Sequence, residues 1–171
     1  MLSLKKLLMS SSRGKSVLEL LPSYLAAIEN SVDSNLFRKL YYRIDGDNVI
    51  DVLDDGDLSC AVFVSSILYL FKLIKERHTT VKSTVEDMGT MGWYKIKRPK
   101  RGAIILWGYK KKSDGTLGKH RHLGFYINPK VAISNSSPKR MVAKHHFTFG
   151  ISSNGKPRRD ILAYYWNDKL N

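Results

Sequence analysis

Two residues of this chain have the types and positions that covalent chemistry requires. Cys60, the only cysteine, stands where a turn rich in Asp and Gly meets a long apolar run. If that run is a helix, the thiol lies in its first turn, where free N–H groups and the helix dipole favour a thiolate. His122 opens a predicted strand, His122–Ile127, further along the chain. A cysteine at a helix start followed by a histidine at a strand start indicates a cysteine peptidase or amidase.

The apolar surroundings of Cys60 also fit a second interpretation. A lone cysteine among Ala, Val, Phe and Ile is commonly a small buried hydrophobe that serves packing alone. A single cysteine also excludes an intramolecular disulfide and any zinc or iron–sulfur site that needs several thiolates. The choice between the two interpretations therefore depends on the segments that follow Cys60.

The charge and composition of the chain limit its class and its partners. With 171 residues, 43% of them hydrophobic and 11% aromatic, the chain fits one globular domain with a substantial core. The formal net charge of +14 indicates an anionic partner, such as nucleic acid, anionic lipid or an acidic cell-wall polymer. A nucleic-acid-binding protein is the main rival to an enzyme, although the basic residues neither gather on one helix nor form a known reading motif. They occupy predicted loops, at 95–101, 110–112, 119–121, 139–144 and 156–159.

The apolar segments of this sequence are too short for a membrane span. The longest, Cys60–Phe71, falls short of the roughly 20 residues that cross a bilayer. Near the N-terminus, the apolar stretch after the first lysines has three residues, against the ~7–15 of a signal-peptide core. We therefore expect a soluble monomer without a clear signal peptide, whose location the sequence leaves unknown.

The order of the predicted elements places helices first and strands second. Residues 1–45 form a predicted helical extension and residues 46–171 the main domain, within one compact unit. A buried helix is expected from residue 59 to about residue 77, because its apolar residues leave almost no polar face. A second, short helix is expected over 84–88, capped by Ser83. Extended apolar runs predict strands at 102–108, 122–127, 131–135, 144–149 and 160–166. The sequence thus predicts an α+β fold with a buried helix packed on an antiparallel sheet.

Four segments occur in an order that resembles one enzyme family. Residues 59–64, S-C-A-V-F-V, stand where the family has D-C-S-G-F-V, and residues 99–107 fit its proline loop followed by a G-D-L-V-F-W-like strand. Residues 122–128, H-L-G-F-Y-I-N, match its H-V-G-I-Y-I-G, and residues 133–136 stand at its I-H-A-S. Over about residues 55–140 the chain therefore resembles the NlpC-type cysteine peptidases, in the papain-like superfamily that includes the CHAP amidases.

The resemblance implies a mechanism and a substrate class. Cys60 would be the nucleophile and His122 its imidazolium partner and later proton donor. The third catalytic residue would be Ser134 by alignment or Asn135 by chemistry; the two point to opposite faces of a strand, so only one can serve. The Cys60 amide, with the Ser59 hydroxyl, would bind the oxyanion. The implied substrate is an amide bond in peptidoglycan peptides, which would place the protein at the cell envelope, on an anionic wall.

Two features depart from the family pattern. The aspartate that precedes the family's cysteine is Ser59 here, and the family's upstream tyrosine is not recognisable, with Tyr41 and Tyr42 as its candidates. These departures keep open a third function, a catalytically inactive member of the fold that only binds cell wall.

The implied mechanism needs no metal ion or other cofactor. A zinc site made from His120, His122 and one of the pair His145 and His146 is not expected, because no carboxylate stands at helical spacing from them. The histidine pair is instead expected at the surface or packed against Phe147.

Overall fold

The computed structural model describes residues 16–110, 116–152 and 155–171; the predicted helical pattern before residue 16 lies outside them. The described residues have an α+β fold, as the sequence predicts. The helices are α1 (Leu20–Asn30), α2 (Cys60–Leu70) and α3 (Val81–Thr90). The strands are β1 (Tyr41–Ile44), β2 (Asn48–Asp51), β3 (Tyr94–Ile96), β4 (Ile104–Trp107), β5 (His122–Asn128), β6 (Val131–Ser136), β7 (Met141–His145) and β8 (Ile161–Trp166), followed by a 3₁₀ turn, Asp168–Leu170. None of the helices in these described ranges is long and apolar enough to cross a bilayer.

An antiparallel sheet of six strands is the main layer of the fold. Its strand order is β3-β8-β4-β5-β6-β7, while β1 and β2 form a separate hairpin. The central strands β4 and β5 are the most buried, and their register sets Trp107 opposite His122. β7 lies earlier than the predicted strand at 144–149, since the chain leaves the sheet after His145.

Helix α2 packs its aromatic and aliphatic side chains against the sheet. Phe63 is fully buried, and its ring lies 5.3 Å from the ring of Phe125 on β5 in an edge-to-face contact. Such a pair adds about 0.5–1.5 kcal/mol to the burial of the two rings. This packing fixes the N-terminus of α2, and with it Cys60, beside the start of β5.

Helix α2 is shorter than the sequence predicts. It ends at Leu70 rather than near residue 77, because Lys72 adopts a left-handed conformation with φ of 55°. The N–H of Leu73 then donates to the carbonyl of Leu68 at 2.9 Å, and that of Lys72 to Tyr69 at 3.0 Å. These two bonds form a Schellman motif, which usually has glycine where Lys72 stands. Because a lysine instead of a glycine stands at this position, the sequence gives no signal for the end of the helix.

Helix α1 packs into the same core as the sheet. Tyr24 and Ile28 are fully buried, and the Tyr24 hydroxyl donates to the carbonyl of Gly102 at 2.9 Å. Gly102 has a φ of 89°, and a Cβ there would lie 3.0 Å from the Tyr24 ring. The contact joins the first described helix to the loop that precedes β4.

A buried carboxylate in α3 organises the loop between α2 and α3. Asp87 Oδ2 accepts from the amides of Lys75 and Glu76, each at 3.0 Å, and lies 2.8 Å from His78 Nε2. Although burial acts to raise it, these hydrogen bonds hold the pKa of Asp87 below its ordinary value. The helix itself is capped by Thr80, whose hydroxyl accepts from the amide of Ser83, so the predicted cap is displaced by three residues.

Replacing Asp87 with asparagine should lower the free energy of unfolding by about 2 kcal/mol at pH 7, because a charged acceptor of several hydrogen bonds is lost. The native pKa is depressed, so this stabilisation is present above the unfolded pKa of about 3.9 and disappears as the pH falls through the native pKa. Urea unfolding at pH 7 and at pH 3 measures both effects. Glu86→Gln, which changes an exposed carboxylate of the same helix, should stay within about 0.5 kcal/mol. Equal losses in the two variants would contradict the role of Asp87.

Candidate active site

A cavity of about 880 Å³ opens where α2 and β5 begin. Cys60 lines it from the first turn of α2 and His122 from the first residue of β5. Arg159, from the loop before β8, lines it as well. The structure therefore brings the two residues that the sequence singled out to one cavity, and it adds an arginine.

The thiol of Cys60 is buried, and the groups around it act on its pKa in opposite directions. Burial raises the pKa of the Cys60 thiol, while the amide of Leu123, the charge of Arg159 and the amides of Ala61 and Cys60 itself act to lower it. Burial prevails, so the expectation of a thiolate stabilised by the helix N-terminus is corrected: the helix amides favour the anion, but desolvation outweighs them. No hydrogen bond among the described residues joins Cys60 to His122.

A chain of three hydrogen-bonding side chains runs from His122 into the sheet. Ser134 Oγ on β6 lies 2.9 Å from His122 Nε2 and 2.7 Å from His145 Nε2 on β7. His145 Nδ1 in turn lies 2.8 Å from the carbonyl oxygen of His146. Because β5, β6 and β7 are neighbours in the sheet, side chains on one face of these strands form the chain directly from strand to strand.

The chain of hydrogen bonds determines where the protons lie. The carbonyl of His146 can only accept, so Nδ1 of neutral His145 carries the proton and its Nε2 accepts from the Ser134 hydroxyl. Ser134, having donated its hydrogen, accepts at Oγ from Nε2–H of His122. The neutral His122 ring therefore has its proton on Nε2 and a free lone pair on Nδ1. This is the tautomer that a general base next to a nucleophile needs.

Aromatic rings shield the histidines from water. The ring of Phe149 stacks on His145 at 4.1 Å, and Trp107 lies 5.6 Å from the rings of both His122 and His145. Burial, with the charges of Arg159 and His145, holds the pKa of His122 well below its usual range. Burial also lowers the pKa of His145. Both imidazoles are therefore neutral near pH 7.

Ser134 and Asn135 lie on opposite faces of β6, as alternation along a strand requires. Ser134 faces His122, whereas Asn135 Nδ2 donates to the carbonyl of Gly56 at 2.6 Å. Asn135 Oδ1 is buried and has no hydrogen-bond partner in the part of the chain that the structure describes. Of the two candidates for a third residue, the structure thus brings Ser134 to His122 and directs the Asn135 side chain away from it.

The residues predicted to bind the oxyanion or to supply a tyrosine do not line the cavity. Ser59 is fully buried, its hydroxyl has no hydrogen-bond partner among the described residues, and it is not among those that line the cavity. Tyr41 and Tyr42 lie on β1 with exposed side chains and do not line the cavity either. The geometry therefore offers no oxyanion contact from Ser59 and no tyrosine from β1.

Replacing Ser59 with alanine should leave the protein as stable as the wild type, or up to about 1 kcal/mol more stable, because an unsatisfied buried hydroxyl is removed. Thermal unfolding of the variant measures this. Ser65→Ala is the matched control, since the Ser65 hydroxyl is also buried but accepts from the His78 amide at 2.9 Å. We expect Ser65→Ala to lose about 1–2 kcal/mol. A comparable loss in Ser59→Ala would show that its hydroxyl has a partner.

Two residues of the site were not identified from the sequence. His145, expected at the surface or packed against Phe147, is half-buried and hydrogen-bonded to Ser134. Arg159 was considered only as one member of a basic cluster. The register of β6 and β7 sets Ser134 opposite Ala143, with His145 two residues further on the same face. A correct pairing of these strands would have been the signal for His145.

The described residues include no group of three or more His, Cys, Asp or Glu side chains arranged to hold a metal ion. Comparison of the sequence with protein-family models gave no match, and a search among curated proteins found no significant relative.

Proposed function

We propose that this protein is a cysteine peptidase or amidase with an NlpC-type, papain-like fold that hydrolyses amide bonds in peptidoglycan peptides. The observation that carries the proposal is the hydrogen-bonded chain His122–Ser134–His145, which leaves Nδ1 of His122 unprotonated, together with the cavity that both His122 and Cys60 line. A packing cysteine needs no such base. The order of the four resembling sequence segments supports the same reaction class.

The reaction begins from a neutral thiol and a neutral imidazole. His122 Nδ1 takes the proton of Cys60 as Sγ bonds to the carbonyl carbon of the substrate amide. The imidazolium so formed donates through Nε2 to Ser134, whose hydroxyl is oriented by His145. Main-chain amides in the first turn of α2 would donate to the tetrahedral oxyanion. These groups stabilise charges that exist only after proton transfer.

Two proton transfers by His122 complete the cycle. The imidazolium protonates the leaving amine as the C–N bond breaks, which leaves a thioester on Cys60 and a neutral base. His122 then takes a proton from water as the water oxygen attacks the thioester carbonyl. Breakdown of that intermediate releases the carboxylic acid and returns a proton to the thiol. The cycle consumes one water for each amide bond and needs no redox partner.

The charge of the chain supports an anionic polymer as the substrate. The net charge of +14 would hold the protein on a cell wall rich in carboxylates and phosphates. This attraction is non-specific and weakens with salt. It affects the residence of the protein on the polymer rather than the choice of bond.

Digestion of purified peptidoglycan tests the proposed function. The wild-type protein should release peptides with new amine and carboxylate ends, identified by mass spectrometry, and Cys60→Ala should release none. The proposal would be wrong if the wild type released nothing from peptidoglycans of several stem-peptide types. Sedimentation of Cys60→Ala with the insoluble polymer would then show whether the protein is a wall-binding, inactive member of the fold.

The activity should persist into the acid range. The active form contains neutral His122, and burial holds the pKa of this imidazole well below the usual 6.5. We therefore expect the acid limb of kcat/KM to have its midpoint below pH 6.5, because the base is lost only when the pH falls through the depressed pKa. A pH profile at constant ionic strength measures it. A midpoint at or above pH 6.5 would contradict the buried, neutral imidazole.

A further inference from the structure

Arg159 is a buried cation that two main-chain carbonyls hold in place. Its Nε donates to the carbonyl of Gly108 and its Nη2 to that of His120, each at 2.8 Å. The residue is 9% exposed, and its guanidinium lies 5.5 Å from the centre of the Phe149 ring. These contacts hold the side chain at the wall of the cavity that Cys60 also lines.

The charge of Arg159 has no carboxylate partner within the part of the chain that the structure describes. Its side chain contacts the two carbonyls and the aromatic ring, all uncharged, and the acidic group whose charge acts on the pKa of Arg159 is the Cys60 thiol. A buried charge is costly unless an opposite charge or hydrogen bonds compensate for it. Arg38, by contrast, is a more exposed arginine and forms a two-bond pair with Asp55. Because no carboxylate among the described residues balances this charge, the guanidinium is available to an anion that enters the cavity.

The guanidinium retains donors for such an anion. Arginine has five N–H groups, and the two carbonyls take two of them, which leaves three. Pairs of guanidinium N–H groups bind a carboxylate in a bidentate manner. The rest of the cavity wall carries more basic than acidic side chains. The basic residues are Lys82, Lys110, Lys119 and Arg121, and the acidic residues are Asp57 and Glu86.

We infer that Arg159 binds a carboxylate of the substrate close to the amide bond that Cys60 attacks. The inference rests on the proposed function, and it defines the substrate class more narrowly as peptides that carry a free carboxylate beside the scissile amide. Arg159 is then a specificity residue. A purely structural arginine would hold the two loops together equally well, but it would give the protein no preference between an acid and its amide.

Binding to a protein that cannot react tests the inference separately from catalysis. The background is Cys60→Ala, and the probes are the stem tripeptide L-Ala-γ-D-Glu-L-Lys and the same peptide with both carboxylates converted to amides. Isothermal titration should show the acid binding at least about tenfold more tightly than the amide, since hydrogen bonds to charged groups contribute about 1.5–3 kcal/mol. Equal affinities, or no binding of either peptide, would overturn the inference.

Two further variants in the same background assign the preference to Arg159. Arg159→Gln should reduce the preference for the acid over the amide to about twofold or less in affinity. Arg159→Lys should keep part of this preference, because the positive charge remains although the paired N–H donors of the guanidinium are lost. Arg158→Gln is the matched control, since this neighbouring arginine is exposed and does not line the cavity. It should keep the full preference. Loss of the preference in Arg158→Gln, or its survival in a folded Arg159→Gln protein, would contradict the assignment.

The results separate this inference from the proposed function. Hydrolysis of peptidoglycan by the wild type without an acid preference in Cys60→Ala would refute the role of Arg159 alone. An acid preference that depends on Arg159, without hydrolysis by the wild type, would refute the enzyme and leave the carboxylate site. Arg159→Gln could fail to fold because it loses the hydrogen bonds to the Gly108 and His120 carbonyls. In that case the affinities of the acid and amide peptides for Cys60→Ala still show whether the cavity binds a carboxylate.

Discussion

Replacing His122 with alanine should lower kcat/KM for peptidoglycan peptides by at least about 10⁴-fold, and Cys60→Ala should have an effect at least as large. The thiol pKa is raised by burial, so Cys60 does not ionise unaided near pH 7. Without His122, no other base among the described residues that line the cavity is oriented by a chain of hydrogen bonds. Initial rates on a defined stem peptide measure both variants.

The two residues should act as one unit. The double variant is expected to be no slower than the slower single variant, because loss of either group removes the same step. His120→Ala is the control, since this exposed histidine lines the same cavity and should change kcat/KM by less than about tenfold. Effects of the two single variants that multiply in the double variant would contradict a shared role in one proton transfer.

Replacing Gly124 with alanine should destabilise the protein by about 3 kcal/mol or more and distort the site. A Cβ at this position would lie 2.6 Å from Ser134 Cβ, 2.7 Å from the carbonyl oxygen of Ile133 and 2.9 Å from the Trp107 ring. The carbonyl belongs to the neighbouring strand, so the clash is relieved only if β5 and β6 move apart. That movement would lengthen the contact between His122 and Ser134. Urea unfolding gives the loss of stability.

Gly89→Ala provides the comparison for this substitution. Gly89 lies in α3, and nothing stands within 4 Å of the Cβ that an alanine would add. That variant should be about 0.5–1 kcal/mol more stable than the wild type, since alanine loses less backbone entropy in a helix. If Gly124→Ala retained wild-type stability and wild-type kcat/KM, the close packing of β5 on β6 at the site would be refuted.

The sequence predicted those parts of the fold that depend on local pattern. The apolar run after Cys60 forms a buried helix, and the His122–Ile127 run forms a strand that the structure extends to Asn128. The class, α+β, followed from the order of such runs. The two residues expected to do chemistry stand at the first positions of their elements, because the boundary between polar turn and apolar run marks an element's start.

The parts that sequence reasoning missed depend on contacts between distant segments. His145 reaches Ser134 only through the pairing of β6 with β7, which no local pattern specifies. The position of Arg159 depends on two carbonyls, at Gly108 and His120, and is unrelated to the basic residues around it in sequence. The raised pKa of Cys60 reflects complete burial, whereas a helix start by itself indicates the opposite shift.

Acid quenching of the wild-type protein during turnover of stem peptides examines the covalent step on Cys60 itself. We expect a thioester intermediate, seen as a protein mass increased by the acyl fragment of the peptide and located on Cys60 by digestion and mass spectrometry. The same adduct should be absent in Cys60→Ala and should not form at a comparable rate in His122→Ala. Peptide hydrolysis that proceeds in Cys60→Ala, or an acyl group found on another residue, would show that Cys60 is not the nucleophile.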